Sequence, residues 1–147
     1  MDALKKTVLL LFVSLALSAC YERDAQYFFD RGNDAFISRE YTTAIENMNA
    51  ALRLKPDFCV AYFTRASSFF SIGNYADALK DYTNAIACDP KYAIAYRFRG
   101  VVKVELGDTV NAYKDWMAAR AFGDIRAEHY LRIYRKHLPG ELKDTAR

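Results

Sequence analysis

The side chains most able to do chemistry in this chain are three cysteines and two histidines. His129 and His137 lie about two helical turns apart, so both would point roughly the same way from one helix. Two histidines alone are an incomplete zinc site, because even a catalytic zinc takes three protein ligands. No serine or cysteine lies in a recognisable nucleophile context, and the sequence has no glycine-rich phosphate loop. We therefore expect no enzyme activity, no cofactor and no metal.

Cys20 ends a segment that has the layout of a secretory signal. Lys5 and Lys6 form a short basic region, residues 7–19 are an apolar run, and small residues precede the cysteine. The run has 13 residues, whereas a helix that crosses a bilayer needs about 20, so a transmembrane anchor fits less well. We expect residues 1–19 to be a signal peptide that is removed.

The last residues of this segment, Leu-Ser-Ala-Cys at 17–20, resemble the lipobox of bacterial lipoproteins. The resemblance implies that Cys20 becomes the first mature residue. It would carry acyl chains such as palmitate, which would anchor the protein in a membrane. Aspartate after that cysteine tends to retain such proteins at the inner membrane. Tyr21 stands there instead, which favours the outer membrane, facing the periplasm. The alternative is an ordinary signal cut near Ala19, with the cysteine a chance thiol. Residues 20–24 would form a lipidated tether whose four linking residues reach at most about 14 Å.

A 34-residue period runs through the rest of the chain. Two columns hold alanine in every copy, and a third holds only glycine or alanine. The columns are Ala44, Ala78 and Ala112; Ala51, Ala85 and Ala119; and Gly32, Ala66 and Gly100. A period of this length indicates stacked supersecondary units, each too small to bury its apolar face alone.

Each copy has the pattern of two helices. In the second copy Ala78, Tyr82 and Ala85 are spaced four and three apart, which places them on one helical face. Gly73-Asn74 is a turn signal, and Asp89-Pro90 ends one helix and starts the next. The pattern predicts six helices, at 25–38, 41–54, 59–72, 75–88, 93–106 and 109–122.

These columns resemble the tetratricopeptide repeat (TPR), although the first copy has Arg39 where a glycine is usual. The resemblance implies an all-α, right-handed α-solenoid of three TPR helix pairs with a C-terminal capping helix, together spanning 25–138. The three copies are 25–58, 59–92 and 93–126. The capping helix would run from Ile125 to about His137, with Asp124 capping its start. Residues 139–147 are expected to be a flexible tail.

Length and charge limit the class of protein. Removal of the first 19 of 147 residues would leave 128, enough for one domain. Asp2, Lys5 and Lys6 contribute +1 of the formal net charge of +3, so the remainder carries +2. A nearly neutral domain argues against nucleic acid as a partner.

Cys59 and Cys88 would begin the first helix and end the second helix of the middle copy. Antiparallel neighbours bring those two ends together, so a disulfide is possible if the Cα atoms approach within about 7 Å. Two buried free thiols that act as small apolar residues fit the sequence equally well.

By the same resemblance, the first helix of each pair lines a concave groove. Twelve positions would face it, and eight of them are apolar or aromatic. They are Gln26, Phe29, Asn33, Phe36, Val60, Phe63, Ser67, Phe70, Ile94, Arg97, Val101 and Val104. A large exposed apolar patch is typical of a binding site, so we expect a membrane-associated protein partner, as a peptide or helix. The alternative is that neighbouring helices, or a homo-oligomer, cover these residues.

The family's known clamp on the terminal carboxylate of chaperones is not supported here. Of its positions only Asn33 has the expected residue type, whereas Phe29, Thr64, Ile94 and Phe98 do not. The sequence therefore predicts a membrane-anchored TPR adaptor or scaffold lipoprotein that binds a protein partner, with a role in envelope assembly. The second hypothesis is a self-associating structural lipoprotein.

Overall fold

The computed structural model describes residues 7–8 and 24–138. Cys20, most of the expected signal peptide and the expected tail at 139–147 lie outside the described residues. Within the described residues the chain is helical and contains no strand. No helix in this part is both long enough and apolar enough to cross a membrane.

Seven α-helices follow one another through residues 24–138, and a short 3-10 helix, Arg135–His137, follows the last. They are α1 (24–37), α2 (Tyr41–Leu54), α3 (Cys59–Ser71), α4 (Tyr75–Cys88), α5 (Ala93–Glu105), α6 (Thr109–Ala121) and α7 (Ala127–Tyr134). The first six lie within one residue of the predicted bounds. The all-α fold class is confirmed.

The helices stack in chain order. From α2 onward each helix packs against the next, both within a pair and between pairs. Helix α1 packs on α2 at Gly32, where an added Cβ would lie only 2.8 Å from the terminal methyl of Met48. This arrangement of neighbours is that of a solenoid, in which each unit shields the next.

The core is built from the repeated columns. All six alanines of the two alanine columns are fully buried. The third column lies beneath one large side chain in each pair, namely Met48, Tyr82 and Trp116, which are also fully buried. Because alanine and glycine let helices approach closely, one large residue for each pair fills the remaining space.

The turns inside the pairs explain where the second helices begin. Asn74 and Asp108 cap α4 and α6, because each side chain accepts a hydrogen bond from the backbone N–H three residues on. Gly73 and Gly107 precede them with φ of +78° and +82°. Arg39 adopts the same left-handed conformation in the first copy, at φ +64°, although it has a Cβ.

The capping helix α7 differs from its prediction. It begins two residues late, at Ala127, and its last predicted turn is the 3-10 helix. Asp124 does not occupy the N-cap position, which belongs to Arg126. One Asp124 oxygen accepts the Arg126 backbone N–H at 2.9 Å, and the other accepts from Arg97 Nε at 2.5 Å. These two bonds hold the residues before α7 in a turn.

Candidate partner-binding groove

The first helices of the pairs, α1, α3 and α5, supply the predicted groove. Val60 and Ile94 occupy the second position of α3 and α5, one repeat apart, and are 42% and 43% exposed. Gln26 takes the corresponding place in α1 and donates a hydrogen bond to Asp30 at 2.7 Å. The same edge of the groove thus presents one amide and two aliphatic side chains to solvent.

Four aromatic rings, the aromatic cluster, pack together: Phe63, Tyr82, Tyr92 and Phe98. The Phe63 ring centroid lies 5.6, 5.2 and 5.7 Å from those of Tyr82, Tyr92 and Phe98. The Tyr82 and Phe98 rings stack at 6.0 Å. Such contacts contribute about 0.5–1.5 kcal/mol per pair beyond burial. These contacts hold Phe63, which is the predicted groove residue among the four, in a fixed position.

Polar atoms inside the cluster are paired. The Ser67 hydroxyl donates to the Phe63 carbonyl at 2.9 Å, which leaves its oxygen to accept from the Tyr82 hydroxyl at 3.0 Å. Burial raises the pKa of Tyr82 well above its usual range. Burial, followed by the charge of Asp89, also raises the pKa of Tyr92. Both phenols are therefore neutral at pH 7, and the aromatic cluster carries no ionised tyrosine.

Arg97 is held in place on every side. It is 6% exposed, it pairs with Asp124, and its guanidinium carbon lies 4.4 Å from the Phe98 ring centroid. Its carbonyl accepts a hydrogen bond from the Trp116 indole at 3.0 Å. Because its charge is already neutralised, Arg97 stabilises the junction of α5 with the α7 turn and offers no free cation.

The remaining aromatic residues of the predicted groove pack, with tilted rings, on aromatic residues outside it. Ring centroids of Phe29 and Phe58 lie 4.8 Å apart, and those of Phe70 and Tyr75 lie 5.6 Å apart. Phe36 packs on Tyr41 at 5.9 Å. Among the twelve predicted groove residues, three are exposed, two are buried and seven are half-buried. The exposed ones are Gln26, Val60 and Ile94; the buried ones are Ser67 and Arg97; the half-buried ones are Phe29, Asn33, Phe36, Phe63, Phe70, Val101 and Val104.

A disulfide joins Cys59 to Cys88, with 5.4 Å between their Cα atoms. It ties the start of α3 to the end of α4, directly beside Val60. A cross-link that closes a loop of this length typically stabilises a fold by about 2–4 kcal/mol. The exposed edge of the groove is therefore covalently fixed at its middle repeat.

Two ion pairs connect neighbouring helices of the solenoid, and the sequence did not predict them. Arg65 Nε lies 2.6 Å from Asp81 Oδ2, and Arg99 Nη2 lies 2.7 Å from Asp115 Oδ1. Arg65 also donates to Asn49 at 2.6 Å, so it links α3 to both α2 and α4. Each pair has the same sequence separation of 16, and the two pairs lie one repeat apart. Aligning charged columns as well as alanine columns would have found them.

The described residues contain no group of three or more histidine, cysteine, aspartate or glutamate side chains that could hold a metal ion. His129 and His137, singled out in the sequence, pack edge-on or tilted against Tyr130 and Tyr134 at 5.7 and 5.9 Å. Both histidines are exposed.

Comparisons with known proteins agree with the helical repeat fold. The profile of the family described as TPR repeat matches residues 66–107. No curated protein matches the chain. The TPR domain of Arabidopsis OM64 superposes with a TM-score of 0.78 at 23% identity, covering 80% of this chain and 99% of that domain.

Two similar solved domains contain bound peptides. The first TPR of Spaghetti (RPAP3), bound to the HSP90 peptide SRMEEVD, has a TM-score of 0.76 at 25% identity and covers 79% of this chain and 94% of its own. The second TPR domain of human RPAP3, in complex with the HSP70 peptide SGPTIEEVD, has a TM-score of 0.71 at 26% identity, with coverages of 80% and 98%. The chain has a TPR-type helical fold.

Proposed function

We propose that this chain is a membrane-anchored adaptor lipoprotein that holds a segment of a partner protein in its concave groove. The observation that carries the proposal is the pair Val60 and Ile94, which expose aliphatic side chains one repeat apart, three and four residues before Phe63 and Phe98 of the aromatic cluster on the same helices. Solvent-facing positions on a helix are usually polar, and these two residues extend the helix faces that carry Phe63 and Phe98, so the combined apolar surface favours an apolar occupant.

The chemistry of the groove selects the kind of partner. The two RPAP3 domains hold peptides that end in Glu-Glu-Val-Asp, whereas this chain has Phe29, Ile94 and Phe98 at positions where the family's carboxylate clamp has polar or basic residues. The fixed Arg97 supplies no free charge. An amphipathic helix or extended segment with apolar anchors fits this surface better than an acidic chain terminus.

The anchor follows from Cys20 and from the tether. Lipid on this cysteine would hold α1, which begins at residue 24, within about 14 Å of the bilayer. The Cys59–Cys88 disulfide fits an oxidising compartment such as the periplasm. We therefore place the adaptor at the envelope, on the periplasmic face of the outer membrane, where a membrane-associated partner in envelope assembly would meet it.

Site-specific photo-crosslinking in native membranes tests the groove. A crosslinker at Val60 or Ile94 should give a discrete adduct with a second protein. Ile72 and Leu106 are the matched controls, because they are 50% and 48% exposed aliphatic residues that lie outside the groove, at the C-terminal ends of α3 and α5. Equal adducts at all four positions would contradict a specific groove.

The second hypothesis, a homo-oligomer that buries the groove, makes a different prediction for the same experiment. Adducts at Val60 and Ile94 would then have twice the mass of the chain and contain no other protein. Half-exposed aromatics such as Phe63 are poor test positions, because their loss would disturb the aromatic cluster.

Intact mass of the membrane-extracted protein tests the anchor. We expect a chain that begins at Cys20, is heavier than its sequence by acyl chains, and loses two further hydrogens relative to free thiols at Cys59 and Cys88. Cys20→Ser should abolish the acylated species. A mature chain without lipid, released from membranes by salt, would refute the anchor and leave the groove proposal standing.

A further inference from the structure

The outer face of the first helix is exposed and acidic. Tyr27, Asp30, Asp34 and Ile37 are spaced three and four apart and form one stripe, the α1 face. Tyr27 and Ile37 are 55% and 69% exposed. Among the described residues of α1, three aspartates outnumber the single Arg31, whose guanidinium contacts Tyr27. The face thus combines two apolar side chains with an excess of negative charge.

The opposite end of the stack has the complementary composition. A cavity of about 340 Å³ lies between α6 and α7, lined by Tyr113, Arg120, Glu128, Leu131, Arg132 and Arg135. Arg120 pairs with Glu128 at 3.2 Å. The lining therefore keeps an excess of two positive charges on exposed side chains, above Leu131 and Tyr113, which are buried. We call this surface the α6–α7 cavity.

The repeat explains why these two surfaces remain open. In the interior of the stack α3 packs on α2 and α5 packs on α4. At the ends, the α1 face and the α6–α7 cavity have no such neighbour among the described residues. Two like ends would bring charges of the same sign together, which costs free energy, whereas unlike ends attract.

We propose that copies of this chain associate head to tail, with the α1 face of one copy against the arginines at the mouth of the α6–α7 cavity of the next. Asp30 and Asp34 pair with Arg132 and Arg135 in this contact. The contact is heterologous, so each copy leaves one end open and short rows of copies form. It uses neither Val60 nor Ile94, so it is independent of the proposed function.

Sedimentation velocity of the full chain in mild detergent, at low and high salt, tests the proposal with two charge-reversal variants. Asp30→Arg with Asp34→Arg, and Arg132→Glu with Arg135→Glu, should each weaken association by at least about tenfold. An equimolar mixture of the two variants should associate again, because each reversed end then meets a complementary one. Lys80→Glu with Lys91→Glu changes the net charge by the same amount as the Arg132 and Arg135 variant, on exposed sites of the middle repeat, and should have no effect.

Recovery in the mixture also shows that both variants fold. A wild-type chain that stays monomeric at low salt overturns the proposal. Association that survives both reversals, or that the mixture does not restore, places the contact elsewhere and equally overturns it. Crosslinking at Val60 can give an adduct or none whether or not copies of the chain associate, so the two proposals are tested independently.

Discussion

At the scale of the residue, the packing of each pair depends on one small position. An added Cβ on Gly100 would lie 2.5 Å from the indole nitrogen of Trp116 and 2.9 Å from two ring carbons. The indole is rigid, and its N–H is fixed by the Arg97 carbonyl. At Gly32 the nearest atom is the flexible methyl of Met48, at 2.8 Å. Equivalent positions in the repeat therefore differ in what they tolerate.

Gly100→Ala should destabilise the fold by about 1–3 kcal/mol, because the indole must move and strain or lose its hydrogen bond. The urea midpoint and the tryptophan fluorescence report the change. Gly32→Ala is the matched variant, and we expect it to cost less, since the Met48 methyl can rotate away and the Asn47 Cβ at 3.0 Å and the Ala44 carbonyl oxygen at 3.2 Å need to shift by only a few tenths of an ångström. A larger loss at Gly32 than at Gly100 would contradict this account of the small column.

At the scale of the element, the first helix pair has the weakest turn. Gly73 and Gly107 adopt positive φ without a Cβ, and the residues that follow them cap α4 and α6. Arg39 adopts positive φ with a Cβ, and Glu40 makes no capping hydrogen bond to α2. We expect the turn between α1 and α2 to open before the other two.

Arg39→Gly should stabilise the protein by about 1 kcal/mol, because a side chain in the left-handed region carries a steric cost of that order. Arg39 is exposed, so the change removes little packing. Gly73→Arg is the reciprocal variant and should destabilise by a similar amount. Thermal unfolding followed by circular dichroism measures both, and a lowered midpoint for Arg39→Gly would count against the strain.

The elements also show what sequence could predict. Six helices lie within one residue of the predicted bounds because the glycine signals, at 73 and 107, and the proline signals, at 56 and 90, recur at the repeat period. The sequence predicts the start of α7 two residues too early, because Asp124 is an aspartate, a residue type that commonly caps helices. Its pairing with Arg97 depends on how α5 lies beside the turn, which no local pattern reveals.

At the scale of the whole molecule, the repeat predicts which residues line the candidate groove but not which of them are buried, paired or exposed. The sequence assigns all twelve positions to one surface, yet it does not show that Arg97 is neutralised or that Phe63 belongs to a four-ring cluster. Those facts depend on contacts between successive pairs. The bond between Cys59 and Cys88 likewise needed the distance between two helix ends, 5.4 Å between Cα atoms.

The proposed function requires that the exposed aliphatic edge of the groove hold the partner. The most direct test is the affinity of the segment crosslinked at Val60, measured by fluorescence anisotropy against two charge-matched variants. Val60→Glu with Ile94→Glu should weaken binding by at least about tenfold, or 1.4 kcal/mol. Ile72→Glu with Leu106→Glu should bind as the wild type does. Equal affinity of both variants, or a loss confined to the Ile72 and Leu106 variant, would contradict the account.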